Sequence, residues 1–185
     1  MQQASDYQEQ AARTLIDGPD FEISDRDMML IWSAIGLADE VGELQEVFVE
    51  FRYHGIHPSK LKDELGDVLW YLSAIYTKME LELNKVILSE ISIRLFLSAD
   101  DAMDRLVIDS GKVCGIVKKG VFHQHGIVLS DLEFYLDRCL WIVGWLCVRY
   151  GIDIGEVMAQ NIEKLKVRYP DGYSAEDSKK RVDVT

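Results

Sequence analysis

The chain has 185 residues, a net charge of -12 and 48% hydrophobic residues, enough apolar material for one packed domain. So acidic a chain excludes a nucleic acid polymer as its main partner, because a phosphate backbone demands a basic footprint. Three cysteines, Cys114, Cys139 and Cys147, match no zinc spacing and make a poor disulfide framework, so they read as reduced thiols of a cytoplasmic protein.

Apolar residues recur at three- and four-residue intervals and β-branched alternation is scarce, which predicts an all-α chain. A short helix is expected over 3–17, ended by Gly18-Pro19. The second starts at Ser24 or Asp25, carries the stripe Leu30, Leu37, Val41, Leu44, Phe48 and Phe51, and ends at His54-Gly55. A third follows Pro58, with Ser59 as N-cap, and presents Leu61, Leu65, Val68, Leu72, Ile75 and Met79. A fourth is expected over 83–97. Ser98 to Asp101 cap a fifth that runs to Gln124. Ser130 and Glu133 form a capping-box signature for a sixth, ending at Gly151; Asp153 and Glu156 resemble it for a seventh, ending at Tyr169-Pro170. Residues 170–185 read as a polar, loose tail. The N-terminal MQQASDYQEQ is polar and does not read as a signal peptide. The most apolar run, Leu140 to Val148, is far short of the roughly 20 residues a bilayer span takes, so no membrane partner is expected.

A shift of 71 positions lays Trp70 on Trp141, Phe51 on Phe122 and His54-Gly55-Ile56 on His125-Gly126-Ile127 without a gap. Leu61, Leu65 and Leu69 fall on Leu132, Leu136 and Leu140, and Val86 on Val157. The expectation is a single domain holding one hairpin repeat over about 26–97, a second over about 100–169 and the tail. Two tandem hairpins plus extra helices would make a four-helix-bundle core.

Glu40 and Glu43 are three residues apart on one expected helix, and Glu64 and Asp67 are three apart on the next. A short turn joins these helices, so they should pack antiparallel and oppose the two pairs. Four carboxylates at about 5 Å repel by a few kcal/mol per pair even at an effective dielectric near 20. Either some stay protonated or a cation sits among them, and oxygen-only ligation suits magnesium or manganese. The same acids also fit a solvated charged face. Against that, Leu37, Val41, Leu44, Leu65, Val68 and Leu69 interleave with them, and Gly42 and Gly66 stand mid-helix, where glycine signals close helix approach or room for a ligand.

The segment Gly36-Leu-Ala-Asp-Glu-Val-Gly-Glu-Leu-Gln-Glu46 and the segment Lys62-Asp-Glu-Leu-Gly-Asp-Val-Leu-Trp-Tyr-Leu72 resemble the signature helices of the MazG-like all-α nucleoside triphosphate pyrophosphohydrolases, a superfamily that includes dimeric dUTPases and dCTP pyrophosphatases. Asn161-Ile-Glu-Lys-Leu-Lys-Val-Arg-Tyr-Pro-Asp-Gly172 resembles that family's C-terminal ending. The resemblance covers about residues 28–79 and 152–180. It implies magnesium-dependent hydrolysis of a nucleoside triphosphate between the α and β phosphates, giving a monophosphate and pyrophosphate. It also implies that Glu40, Glu43, Glu64 and Asp67 hold the metal and that Lys164 and Arg168, with Asn161 nearby, contact phosphate. Asp39 stands where many relatives carry a further acid that helps activate water; it also fits a plain surface acid. Helix-dipole compensation is the plain reading of Lys164 and Arg168.

The chain departs from the family in its second half. At the offset of 71, Glu40, Glu43, Glu64 and Asp67 fall on Gly111, Cys114, Tyr135 and Arg138, so one site per chain is expected. Lys118, Lys119 and Arg138 either face that site or lie on the surface. Trp32, Trp70, Tyr71, Trp141 and Trp145 are candidates for base stacking, with core packing as the plainer reading of each; Trp32 and Tyr71 are the favoured nucleotide contacts. His54 and His57 fall in the hairpin turn. Two hairpins in one chain fit a monomer, yet related bundles often pair again, so the expectation leans towards a homodimer. A catalytically inactive helical module that binds nucleotide or metal is the alternative to an enzyme.

Overall fold

The computed structural model describes residues 2–14, 18, 21–55, 58–83 and 98–180. Among these residues lie seven helices and no strand: α1 Gln2–Ala12, α2 Asp25–His54, α3 Pro58–Lys78, α4 Ala99–Phe122, α5 Leu129–Arg149, α6 Ile154–Arg168 and α7 Ala175–Lys180. The all-α expectation holds. The end of the first expected helix (15–17), nearly all of the fourth (84–97), Val86, His57 and residues 181–185 lie outside the described residues.

Helix starts follow local chemistry, with two corrections. Ser24, Ser98 and Asp153 cap α2, α4 and α6 as expected, their side chains accepting from the amides of Asp27, Asp101 and Glu156 at 3.1, 3.1 and 3.0 Å. Pro58 is itself the first residue of α3, where its missing N–H costs nothing, so Ser59 lies inside the helix rather than capping it. Likewise α5 begins at Leu129 after Val128, which gives no side-chain cap, and Ser130 falls within its first turn. A third difference concerns the tail. Residues 175–180 are helical, and Ser174 caps them by accepting from the Asp177 amide at 3.0 Å.

α2 packs against α3 and α4, α5 packs against α4 and α3, and α6 lies against α3. The four longest helices thus enclose one core, in which Leu37, Leu44, Leu65, Leu72, Met103, Val113, Leu136 and Leu146 are fully buried. α2 and α3 run antiparallel, since Lys60 pairs with Glu50 at 2.9 Å near the turn while Tyr71 meets Gly36 farther along. No helix among the described residues is long and apolar enough to cross a membrane.

The two hairpins, α2–α3 and α4–α5, end alike. Glu80 and Gly151, 71 positions apart, both take a positive φ, 56° and 65°. The amides of Met79, Glu80 and Leu81 bond the carbonyls of Ile75, Thr77 and Tyr76; those of Tyr150, Gly151 and Ile152 bond Leu146, Val148 and Cys147. The first helices of the hairpins keep a different register. Buried Ala34, Leu37, Leu44 and Phe48 match buried Met103, Leu106, Val113 and Val117 at a spacing of 69, and Gly55 (φ 84°) matches Gln124 (φ 53°) at the same spacing. The ungapped alignment is therefore corrected: the second turn is two residues longer. In that register Glu40 corresponds to Asp109 and Glu43 to Lys112, not to Gly111 and Cys114.

Asp109 is fully buried, and Arg138 reaches it from α5 with Nη2 3.1 Å from Oδ2. The same guanidinium lies 5.1 Å from the Phe134 ring centre. Burial pushes the Asp109 carboxyl up, and Arg138 opposes the shift. Arg138→Met strands this carboxylate, so urea denaturation should show a loss of about 3 kcal/mol. Replacing Asp109 with Asn in that background should recover part of it.

Candidate functional site

The acids of the first hairpin stand on faces set by the core. Leu37, Val41 and Leu44 are buried on one side of α2, and Leu65 and Val68 on one side of α3. That orientation turns Glu40, Glu43 and Glu64 toward one another at the hairpin's edge. Each of these three offers an oxygen, and the three oxygens lie within 4.8 Å of one another. This is an oxygen-only donor set of the kind hard divalent cations take. Glu40 and Glu64 are both pushed up to about 7. Partial burial is the larger cause; neighbouring carboxylates, Asp67 and Glu43 foremost, add to it.

Asp67 belongs to the same charge cluster but spends its oxygens elsewhere. Lys164 Nζ donates to Oδ1 and Oδ2, both at 2.6 Å, and Asn161 Nδ2 donates to Oδ1 at 2.7 Å. α6 comes this close because Gly66 has no side chain: a Cβ there would stand 3.1 Å from Asn161 Cβ and Nδ2. Gly42, expected to mark either a close approach or room for a ligand, is exposed and has open space around it. Lys62 pairs with Glu156 at 3.1 Å and ties the start of α6 to α3.

A cleft of about 650 Å³ runs over the acids. Glu40, Glu43 and Asp67 border it, as do Trp32, Tyr71 and Arg168. Trp32 is 42% exposed, and its ring lies 5.3 Å from that of Tyr71 and 5.6 Å from that of Trp70. Gly36 makes this cluster possible, since a Cβ there would fall 2.1 Å from the Tyr71 ring. Burial, followed by the charge of Glu40, pushes the Tyr71 hydroxyl up to about 12, so Tyr71 is a neutral donor across the working range. Asp39 is exposed and does not line the cleft, although its charge helps to raise Glu40 and Tyr71.

Sequence reasoning missed one wall. Tyr169, Gly172, Tyr173 and Ser178 also line the cleft, beside Trp70, which was among the stacking candidates. Tyr169 and Tyr173 have ring centres 5.4 Å apart, and Gly172 turns the chain between them with φ 94°. The signal was present: Ser174 and Asp177 have the spacing of a helix cap. The basic residues of the second hairpin do not join the acids. Arg138 serves Asp109, and Lys118 borders a separate apolar cavity between α2 and α4. Trp145 is core, as expected. Compared with protein-family models, characterised proteins and solved structures, the chain matches none.

Two outcomes follow from the raised carboxyls and the ring cluster. Glu40 and Glu64 bind protons better folded than unfolded, where the ordinary value is 4.5. Their contribution to stability is complete below 4.5 and lost as pH rises through about 7. Without divalent cations the melting temperature should fall across that window, and Glu64→Gln should flatten the slope. Separately, Gly36→Ala should displace the Tyr71 ring and alter the near-ultraviolet circular dichroism while leaving helix content unchanged.

Proposed function

We propose that the chain is a magnesium-dependent nucleoside triphosphate pyrophosphohydrolase that cleaves between the α and β phosphates, with manganese as a substitute cation. The observation that carries this reading is the meeting of Glu40, Glu43 and Glu64 oxygens beside a cleft whose other walls bear Arg168 and a ring cluster. Carboxylates fit a hard cation, cationic side chains fit phosphate, and exposed ring faces fit a base.

Bound at the glutamates, the metal would neutralise phosphate charge and acidify a water. The chain's own groups supply the rest. Trp32 and Tyr71 hold the base, and Lys164 and Arg168 steady the pyrophosphate. Water attacks the α phosphorus; the bond to the α–β bridging oxygen breaks, and its electron pair leaves with pyrophosphate. Asp39, next to Glu40 in the chain though outside the cleft lining, takes or orients the water's proton in this reading. The second hairpin is then a degenerate copy in which Asp109 and Arg138 replace metal ligands. The activity suits nucleotide-pool house-cleaning in the cytoplasm, and a homodimer is part of this reading.

One observation favours the alternative, a binding module without turnover: Asp67 is engaged by Lys164 and Asn161. The test is incubation with magnesium and a panel of canonical and modified triphosphates, scored for monophosphate and pyrophosphate. Release of both is expected for at least one substrate. Nucleotide-dependent stabilisation without product supports the alternative, and neither effect sinks both. Glu64→Gln should cut turnover by about a hundredfold or more with the fold intact; unchanged turnover removes Glu64 from the reaction.

A further inference from the structure

Asp67 stands in the carboxylate cluster by position and outside it by contact. Glu40, Glu43 and Glu64 gather without it, while Lys164 holds both of its oxygens. Its two partners differ in kind. Asn161 is buried, 7% exposed, and set by the packing of α6 on Gly66. Lys164 reaches Asp67 on a flexible four-carbon stem, and its side chain is 23% exposed, so its ammonium can exchange partners without moving a helix. Arg168, one turn farther on α6, lines the cleft over the acids. A tetrahedral oxyanion entering beside Arg168 offers Lys164 a second anionic partner. If Lys164 turns to it, the Asp67 oxygens are released next to the three gathered carboxylates.

Resting on the metal-dependent reading above, we propose that Lys164 is a positioning residue acting through Asp67: in the ligand-free chain it withholds the fourth carboxylate, and an oxyanion draws it away and completes the cation site. Cation and oxyanion then favour each other's binding, and the coupling is reciprocal. The arrangement also answers an electrostatic difficulty. A chain of net charge -12 gains little by binding a polyanion alone, and four free carboxylates would bind cations indiscriminately.

The test measures Mn2+ affinity of the full chain by paramagnetic resonance, independently of turnover. Sulfate is the oxyanion probe, exchanged for chloride at constant ionic strength. Lys164→Met should tighten Mn2+ binding about tenfold without any oxyanion, a coupling of ordinary size. In an Asp67→Asn background the same change should do no more than Lys166→Met, which removes a nearby cation that does not touch Asp67. Sulfate should tighten Mn2+ binding by the wild type and not by Lys164→Met. Lys164→Gln is read in parallel, so that loss of fold in one variant leaves the other.

A gain on Lys164→Met that persists in full with Asp67→Asn means simple charge removal and overturns the proposal. So does a wild type indifferent to sulfate. Mn2+ binding without either effect removes the Lys164 exchange and leaves the metal reading standing, whereas no Mn2+ binding by the wild type removes both.

Discussion

The packing of Asn161 of α6 against Gly66 of α3 decides where the cleft can be. It joins segments far apart in the sequence and lays the last long helix along the acidic face of the first hairpin, where Lys164 meets Asp67. Gly66 permits the approach, Asn161 fills the space that a side chain would take, and Lys62 with Glu156 secures the start of α6. With α6 in this place, Arg168 and Tyr169 form the wall opposite Trp32 and Tyr71, and the turn at Gly172 brings Tyr173 and Ser178 over the same space. An acidic edge that would otherwise be an open helix face thereby becomes a bounded cleft.

The two hairpins meet one electrostatic problem in two ways. In the first, carboxylates gather across facing helices, and in the second a single carboxylate is buried; both need a positive counter-charge. The second hairpin carries its own: Arg138 pairs with fully buried Asp109, and its ring stacking on Phe134 leaves the guanidinium little freedom. The first hairpin carries none among Glu40, Glu43 and Glu64, and partial burial, with their mutual repulsion added, raises Glu40 and Glu64 toward neutrality. A built-in cation closes a site, while its lack leaves one open to an exchangeable ion. This asymmetry gives the two similar hairpins different parts: one scaffold, one candidate site.

Local signals were legible wherever a side chain acts on its own backbone. Ser24, Ser98 and Asp153 cap the helices they were expected to cap. The misses arose where two local signals compete. Pro58 supersedes Ser59 because ring geometry already starts the helix, and Val128 starts α5 without help from Ser130. The tail looked loose because residues 170–185 are mostly polar, yet a six-residue helix needs only a cap and a neighbouring wall. The register of α4 escaped the ungapped repeat because two extra turn residues shift no composition; only the pattern of burial reveals them.

By itself the sequence determined the all-α class and which acids share a helix face, since both follow from a 3.6-residue period that any three-apart pair obeys. It also determined that Glu40 and Glu43 would oppose Glu64, because the turn between their helices is too short for any other pairing. Only the tertiary structure decided that Asp67 turns to Lys164 and Asn161, that Gly36 admits the Tyr71 ring, and that the tail closes the cleft. These depend on distances of a few ångström between distant segments, which packing sets and periodicity does not encode. The group of four acids read from the sequence is thus, in the folded chain, three gathered carboxylates and a fourth held by a lysine.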